Sequence, residues 1–386
     1  DGVMDYDTIV VGTGPAGAST AYWLGEAGQR VLVLEKEKLP RYKPCGGAVP
    51  RVVFDRFPFS FSGIIERWIQ YARLRFRDGR EVVTDLPNYP VAMVMRDEFD
   101  YHILRHARAD VRDQSAVTDL EQDESGVTVT TASGKSFRAS CLVGADGANS
   151  RVARVTGLKQ QDWQGGAIEA EVPVDDEELE TYSNTALFVF GTPEQGYLWV
   201  FPKEKHLSVG IGSFQAGASN MRQILEREMG RLGIQVAEER QEGHPLPVYL
   251  QRKPLRRDRV LLVGDAARLM DPLLGEGIRH AVDSGQIAAE SLLTDSLQGY
   301  EQRIHREIGR DLIWGKRWAD LFYGNPRRSF DLGVRNPFFL KEFVHLLTGR
   351  TSYRHMAARA LPNLLVGLFR RLPVKQGCTK TSISGG

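Results

Sequence analysis

Gly12-Thr13-Gly14-Pro15-Ala16-Gly17 has the spacing G-x-G-x-x-G. In such a run the first glycine makes a tight turn. The second lets backbone approach a pyrophosphate, and the third lets a helix pack closely on a strand. The free N–H groups of the helix that follows turn a partial positive charge toward phosphates. Glu35 stands where a carboxylate would bind ribose hydroxyls and repel a 2′-phosphate, so the site favours FAD or NAD over NADP. Asp265, after Leu261-Leu262-Val263-Gly264, offers a carboxylate to a polyol. Pro272-Leu273-Leu274-Gly275-Glu276-Gly277-Ile278 offers a second glycine-rich helix start, suited to an electron-rich ring edge. Arg96 opens a charged helix start. Asp146-Gly147 ends a strand, and by itself reads as a turn.

Further residues carry redox or apolar chemistry. Cys45 follows Pro44 and precedes Gly46 and Gly47, in a loop fixed on one side and pliable on the other. It is either a thiol near a reacting ring or a small buried residue. Tyr197, Trp199 and Phe201 alternate along a strand, so they share one face and make a wide apolar wall. Gly210 and Gly212 expose bare backbone on the next strand, leaving space for a tunnel. An ordinary aromatic core is the alternative. His102 and His106 have ligand spacing on a predicted helix, but no third ligand accompanies them, and they read as a solvated face. Cys141 and Cys378 read as ordinary residues. No Cys-x-x-Cys occurs, which excludes a zinc ribbon or a cysteine-ligated cluster, and no metal site is expected. No Ser-His-Asp grouping or nucleophile elbow points to hydrolysis.

These residues need a βαβ unit to hold them. The strand Tyr6–Val11, a helix over 15–28 closed by Gly28, and a strand over 30–35 supply it. Hairpins are predicted over 72–84, turning at Asp78-Gly79, and over 126–139, turning at Ser133-Gly134. A helix is predicted over 97–110 and a separate buried strand over 141–144. Strands of an antiparallel sheet are predicted over 167–174, 185–190, 197–201 and 207–212. A parallel-type strand over 259–264 leads to a helix over 278–293, and a helical pattern runs from 300 to 372. The chain of 386 residues suits two or three folding units. Its formal net charge is +1, from 50 basic and 49 acidic residues, which calls for no nucleic-acid partner. No apolar run reaches ~18 residues, so no spanning helix is expected. The first apolar run follows acidic residues and breaks at Gly12, the wrong order for a signal peptide. A cytoplasmic protein is expected.

The four ordered elements around Gly12, Arg96, Asp146 and Asp265 resemble the flavoprotein monooxygenase superfamily with the p-hydroxybenzoate hydroxylase fold. Arg41-Tyr42-Lys43-Pro44-Cys45-Gly46-Gly47 and Tyr197-Leu198-Trp199-Val200-Phe201-Pro202 with Gly210-Ile211-Gly212 are similar to the geranylgeranyl reductase family. The resemblance implies an α/β fold. A Rossmann-like FAD domain (1–56, 92–160 and 255–295) carries an inserted antiparallel-sheet substrate domain (57–91 and 161–254), and a helical region (296–386) follows. It implies FAD held by Gly12, Gly14, Pro15, Ala16, Gly17, Glu35, Lys36, Arg41, Cys45, Gly46, Gly47 and Arg96. Val117, Asp146, Gly147, Gly264, Asp265, Pro272, Gly275, Gly277 and Ile278 complete that set. Within it, Val117 serves the adenine, Asp265 the ribityl chain, and Gly277-Ile278 the pyrimidine edge. Tyr197, Trp199, Phe201, Gly210 and Gly212 would meet the substrate.

The activity this implies is saturation of isolated C=C bonds of an isoprenoid chain. An isolated alkene is not electrophilic, so a proton must arrive before or with the hydride. Cys45 and Tyr197 are the candidate catalytic acids. Asp271 and Glu276 would serve only if burial raised their pKa. The electron donor is either NAD(P)H, bound transiently, or a small redox protein. Leu361, Leu364, Leu365, Leu368, Phe369 and Leu372 form an apolar helical stripe, flanked by Arg370 and Arg371. The stripe either docks on the core or touches a membrane. The competing activity is a monooxygenase or halogenase on the same fold. A flavin- or lipid-carrying protein without catalysis is a third reading.

Overall fold

The computed structural model describes residues 5–88, 90–158, 165–236 and 241–367. The strand Tyr6–Val11 sits inside the larger sheet, with a strand paired on either side. Its residues Ile9, Val10 and Val11 are consecutive and all buried, as a parallel sheet covered on both faces requires. It pairs in parallel with Val31–Leu34 and with Ser136–Gly144, which pairs in parallel with Val260–Leu262. Helix Pro15–Glu26 follows the glycine-rich turn and ends before Gly28 at φ +84°. It packs on helix Ile278–Leu293 through small residues. A Cβ on Gly285 would lie 2.4 Å from the Ala16 carbonyl oxygen, so only glycine permits that approach. Ser19 Oγ donates to the Val282 carbonyl at 2.9 Å across the same contact.

The second sheet has seven strands in the order Glu242–Leu246, Gly165–Pro173, His206–Ser213, Gly196–Pro202, Thr185–Phe190, Tyr71–Phe76 and Glu81–Asp85. Side chains alternate across it. Leu187, Val189, Leu198, Val200, Val209 and Ile211 face helices Asp176–Tyr182 and Met221–Arg231. Phe188, Phe190, Trp199 and Phe201 face the other way, toward helices Pro326–Arg335 and Pro337–Leu347. A third sheet joins Ala48–Pro50, Val91–Val94 and Ile65–Ile69. It carries the chain between the two larger sheets.

Several expectations are corrected. The helix predicted over 97–110 spans Arg96–Arg105, and Asp110–Arg112 is instead an edge strand parallel to Val31–Leu34. No glycine or proline marks that stop, so periodicity overruns it. The strand over 141–144 continues the hairpin strand as Ser136–Gly144. The seven-stranded sheet is not wholly antiparallel, because Thr185–Phe190 runs parallel to Tyr71–Phe76. The helical pattern from 300 breaks at Asn325-Pro326 and Asn336-Pro337. Each asparagine side chain accepts a backbone N–H, from Arg328 and Phe338 respectively, and each proline takes the first helical position. The last described helix is Tyr353–Gly367. The side chains of the apolar stripe from Leu361 to Leu372, Cys378 and the polar tail lie outside the described residues. Among the described residues, no helix is long and apolar enough to cross a membrane.

Candidate active site

The turn after Tyr6–Val11 is set by crowding. Gly12 has φ +100°, and a Cβ there would lie 2.4 Å from the Ala145 carbonyl oxygen. A Cβ on Gly17 would lie 2.0 Å from the Gly12 carbonyl oxygen. Gly14 differs, since its nearest neighbour would be an Arg41 nitrogen at 3.6 Å. The middle glycine thus meets only an arginine side chain, at ordinary contact distance, at the start of an uncapped helix with no acid in its first turn. That is a cradle for an anionic ligand. Glu35 accepts from Thr13 N at 3.0 Å and Thr13 Oγ1 at 2.5 Å, and from Arg41 Nε at 3.3 Å. Although burial alone would raise it, these contacts hold the Glu35 carboxyl below its ordinary range.

One cavity of about 210 Å³ runs from this turn into the second sheet. Gly14, Pro15, Ala16, Arg96 and Gly147 line one end, and Cys45, Gly46, Gly47 and Asp265 the middle. Gly275, Gly277 and Ile278 close one side, and Tyr197, Trp199, Phe201 and Gly212 form the far wall. Burial alone would raise the Asp265 carboxyl. Lys43, at 3.4 Å, His244 and Arg96 hold it well below the usual range. His244 Nε2 is 3.9 Å from Asp265, beyond hydrogen-bond reach, and is buried with no partner among the described residues. An orphaned ring nitrogen, a carboxylate and the uncrowded Gly14 and Gly147 in one cavity are the donor and acceptor set that FAD needs along its ribityl and pyrophosphate chain.

The Cys45 loop is held from several sides. Gly47 N donates to Cys45 Sγ at 3.4 Å. The buried Arg96 bonds that sulfur and, at 2.9 and 2.8 Å, the Asp100 carboxylate. Lys203, fully buried, donates to the Gly46 carbonyl at 2.9 Å and the Val94 carbonyl at 2.7 Å. Burial pushes its ammonium down to about 8. A neutral amine still has the two N–H donors those carbonyls need. Gly46 abuts the wall directly, since a Cβ there would lie 2.8 Å from the Phe201 ring and 3.0 Å from Trp199 Nε1.

Several predicted residues also make contacts within the fold. Gly210 does not open a tunnel. It lies opposite Trp199 in the sheet, and its Cβ would sit 2.1 Å from the indole, so its bareness makes room for that ring. Gly212 does line the cavity. Asp146 accepts from Ser150 Oγ, Arg151 N and Val152 N, at 2.5, 2.6 and 3.0 Å. Its carboxylate therefore caps helix Arg151–Val155, while the Gly147 backbone lines the cavity. Gly264 packs on Ala16 Cβ, at 2.8 Å from where its own Cβ would be. Pro272 packs beside Gly315. The Lys36 side chain is 71% exposed and pairs with Glu37 at 3.6 Å. Val117 opens the strand Val117–Gln122, outside the cavity lining, close to where Ser115 N bonds the Glu35 carbonyl. Tyr197 donates its hydroxyl to the Leu274 carbonyl. Burial, with Asp271 and Cys45 nearby, raises its pKa, which makes it a weak acid. Burial pushes Asp271 up to about 6, but its oxygens accept from Leu273 N, Leu274 N and Tyr353 Oη. Glu276 lines the cavity and is held below its ordinary range by Arg279, against burial.

The expectation for His102 is corrected. His102 is buried, its Nε2 2.8 Å from the Ser60 carbonyl oxygen, and His106 stacks on Phe59 at 3.9 Å. His102 thus packs in an aromatic cluster with Phe61, whereas His106 lies on the exposed face, as expected. Lys43, Glu169, Phe188, Lys203 and His244 line or brace the site, and sequence reasoning misses them. For Glu169 a signal exists: a carboxylate between two alanines, Ala167 and Ala170, in a strand that must be buried.

Residues 5–299 match the FAD binding domain family. The chain is 30% identical to a chloroplastic geranylgeranyl diphosphate reductase of Oryza sativa, over 78% of this chain and 70% of that protein. It is 31% identical to a digeranylgeranylglycerophospholipid reductase of Methanococcus vannielii, over 74% of this chain and 76% of that protein. The fold matches a geranylgeranyl bacteriochlorophyll reductase-like structure from Thermoplasma acidophilum. The TM-score is 0.77 and the identity 24%, over 95% of this chain and 99% of that one. With a glycine-rich turn, a buried carboxylate and an aromatic wall on one cavity, the chain belongs to the geranylgeranyl reductase family of FAD-dependent oxidoreductases.

Proposed function

We propose that this protein saturates isolated double bonds of a geranylgeranyl-type chain laid along the wall of Phe188, Tyr197, Trp199 and Phe201. The observation that carries this is the continuity of the cavity, from the Gly14 turn to those rings, with Cys45 and Gly46 between. Bound and reduced FAD supplies a hydride. In this reading Glu35 takes the ribose hydroxyls, Gly14 and Arg41 face the pyrophosphate, and Asp265 takes the ribityl chain, displacing Lys43. The Gly277-Ile278 backbone meets the pyrimidine edge. The wall excludes water, which keeps the developing carbocation from being trapped. Lys203 fixes the Cys45-Gly46-Gly47 loop against the wall and so sets the gap in which the alkene lies.

NAD(P)H or a small redox protein is the proposed electron donor. Contact with a membrane surface, where such lipids reside, is a further part of the proposal. A monooxygenase would need the same cradle, but the named relatives support the reductase reading. Anaerobic incubation of the dithionite-reduced protein with free, phosphorylated and lipid-linked geranylgeranyl compounds tests it. Products should gain mass in steps of two hydrogens. Absence of any gain, or a gain of oxygen once air is admitted, refutes it.

A further inference from the structure

A buried polar chain on the cavity wall is left unused by the site as described. Glu169 lies in strand Gly165–Pro173, is 3% exposed, and lines the cavity. Its Oε1 accepts from Ser208 Oγ at 3.0 Å, and Ser208 accepts in turn from Trp199 Nε1 at 3.3 Å. Its Oε2 accepts from Tyr42 Oη at 3.0 Å. Tyr42 is 43% exposed, so a single side chain spans from the surface to the buried carboxyl. Both donors to Glu169 are neutral. Around it stand Glu171 on its own strand, Glu242 on the edge strand, and Lys203 just after strand Gly196–Pro202.

We propose that Glu169 is the acid that protonates the alkene, and that Tyr42 returns a proton to it from solvent. This rests on the reductase reading. The competing acids are otherwise engaged. The Tyr197 hydroxyl donates a hydrogen bond to the Leu274 carbonyl, Asp271 lies outside the cavity lining and is tied by three donors, and Cys45 Sγ receives N–H groups from Gly47 and Arg96. Burial pushes the Glu169 carboxyl up, against Ser208, Tyr42 and Lys203, with Glu242 adding to the rise. In the reaction the π bond breaks and two C–H bonds form. One alkene carbon takes the hydride, with its two electrons, from reduced flavin. The other takes the Glu169 proton, leaving oxidised flavin and a Glu169 carboxylate. A solvent proton binds Tyr42 Oη as that hydroxyl passes its own to the carboxylate in the same motion, so no tyrosinate forms, which burial and the neighbouring glutamates disfavour.

Glu169→Gln in the full FAD-loaded protein is the test, because glutamine keeps the shape and can still bond Ser208 and Tyr42. Anaerobic turnover should fall ~10²-fold or more, with FAD content and the reduced-flavin spectrum unchanged. The infrared carbonyl band of a protonated carboxyl in the oxidised protein should vanish with the substitution. Tyr42→Phe should show that band but turn over several-fold more slowly, on the order of 10-fold, with a larger solvent isotope effect. Wild-type turnover and pH profile in Glu169→Gln would overturn the proposal, and so would a wild-type protein with no such band. Loss of turnover in Cys45→Ala but not in Glu169→Gln would move the role to Cys45. A wild-type protein that reduces no isoprenoid removes the reductase reading itself, a result visible before any variant is made.

Discussion

The two ends of the cavity are built from different material. Behind the cofactor end the packing is backbone on backbone, and Gly12, Gly17 and Gly285, which do not line the cavity themselves, each leave a Cβ position already taken by a carbonyl oxygen. At the far end the surface is side chain, and the space beside Gly210 is taken by an indole. Backbone cannot move aside, so the first end tolerates one residue type at each such position. Rings can shift and be replaced by other rings, so the second end tolerates many. Nucleotide binding is therefore written in a short motif, whereas the hydrocarbon wall is written only as an alternation.

Substitutions at the two kinds of glycine test that contrast. Gly17→Ala should have the largest effect, about 3 kcal/mol of overpacking strain and loss of bound FAD, read from denaturant melts and visible absorbance. Gly210→Val should keep FAD near the wild-type level. It should lose about 1–3 kcal/mol by displacing the Trp199 ring, and lose turnover on long isoprenoids. If it lost FAD as completely as Gly17→Ala, the two ends would not be separable. Lys203→Met sharpens the boundary between them. Between about 8 and 10.5 the unfolded chain holds a proton that the folded Lys203 has released. Stability relative to Lys203→Met should therefore rise with pH across that window, by at most about 1.4 kcal/mol per unit, and stay flat below it. A falling difference would contradict the burial of a charged amine. Lys36→Ala should have the smallest effect, within about 0.5 kcal/mol and with FAD affinity unchanged, because among the described residues its ammonium pairs with Glu37 at the surface. A marked loss of FAD would instead show that Lys36 contacts the cofactor.

How much is legible in the sequence follows the same division. Helix Ile278–Leu293 and strand Tyr6–Val11 match their predicted bounds, because a glycine turn or a buried apolar run marks their ends. The helix after Arg96 is overrun, since Arg105 carries no stop signal. Sequence reasoning reads Gly210 as open space and Asp146-Gly147 as a turn that the resemblance gives to cofactor, and in the structure Gly210 makes room for a neighbouring ring while Asp146 caps a helix. Both roles depend on partners brought in by the fold, Trp199 across the sheet and Ser150 to Val152 just ahead. Lys203 and Glu169 act through contacts with Gly46 and Tyr42, more than a hundred residues distant in the chain. No local pattern could announce those pairs. The three-stranded sheet escapes the sequence for the same reason, as its strands are short and come from separate segments.

The central claim is that hydride leaves the cofactor for a hydrocarbon on the aromatic wall. The most direct measurement follows flavin absorbance in an anaerobic cuvette as a geranylgeranyl substrate is added to the chemically reduced protein. Yellow colour should return without oxygen, in proportion to double bonds saturated. Colour that stays bleached until air enters, with every double bond intact, would contradict it.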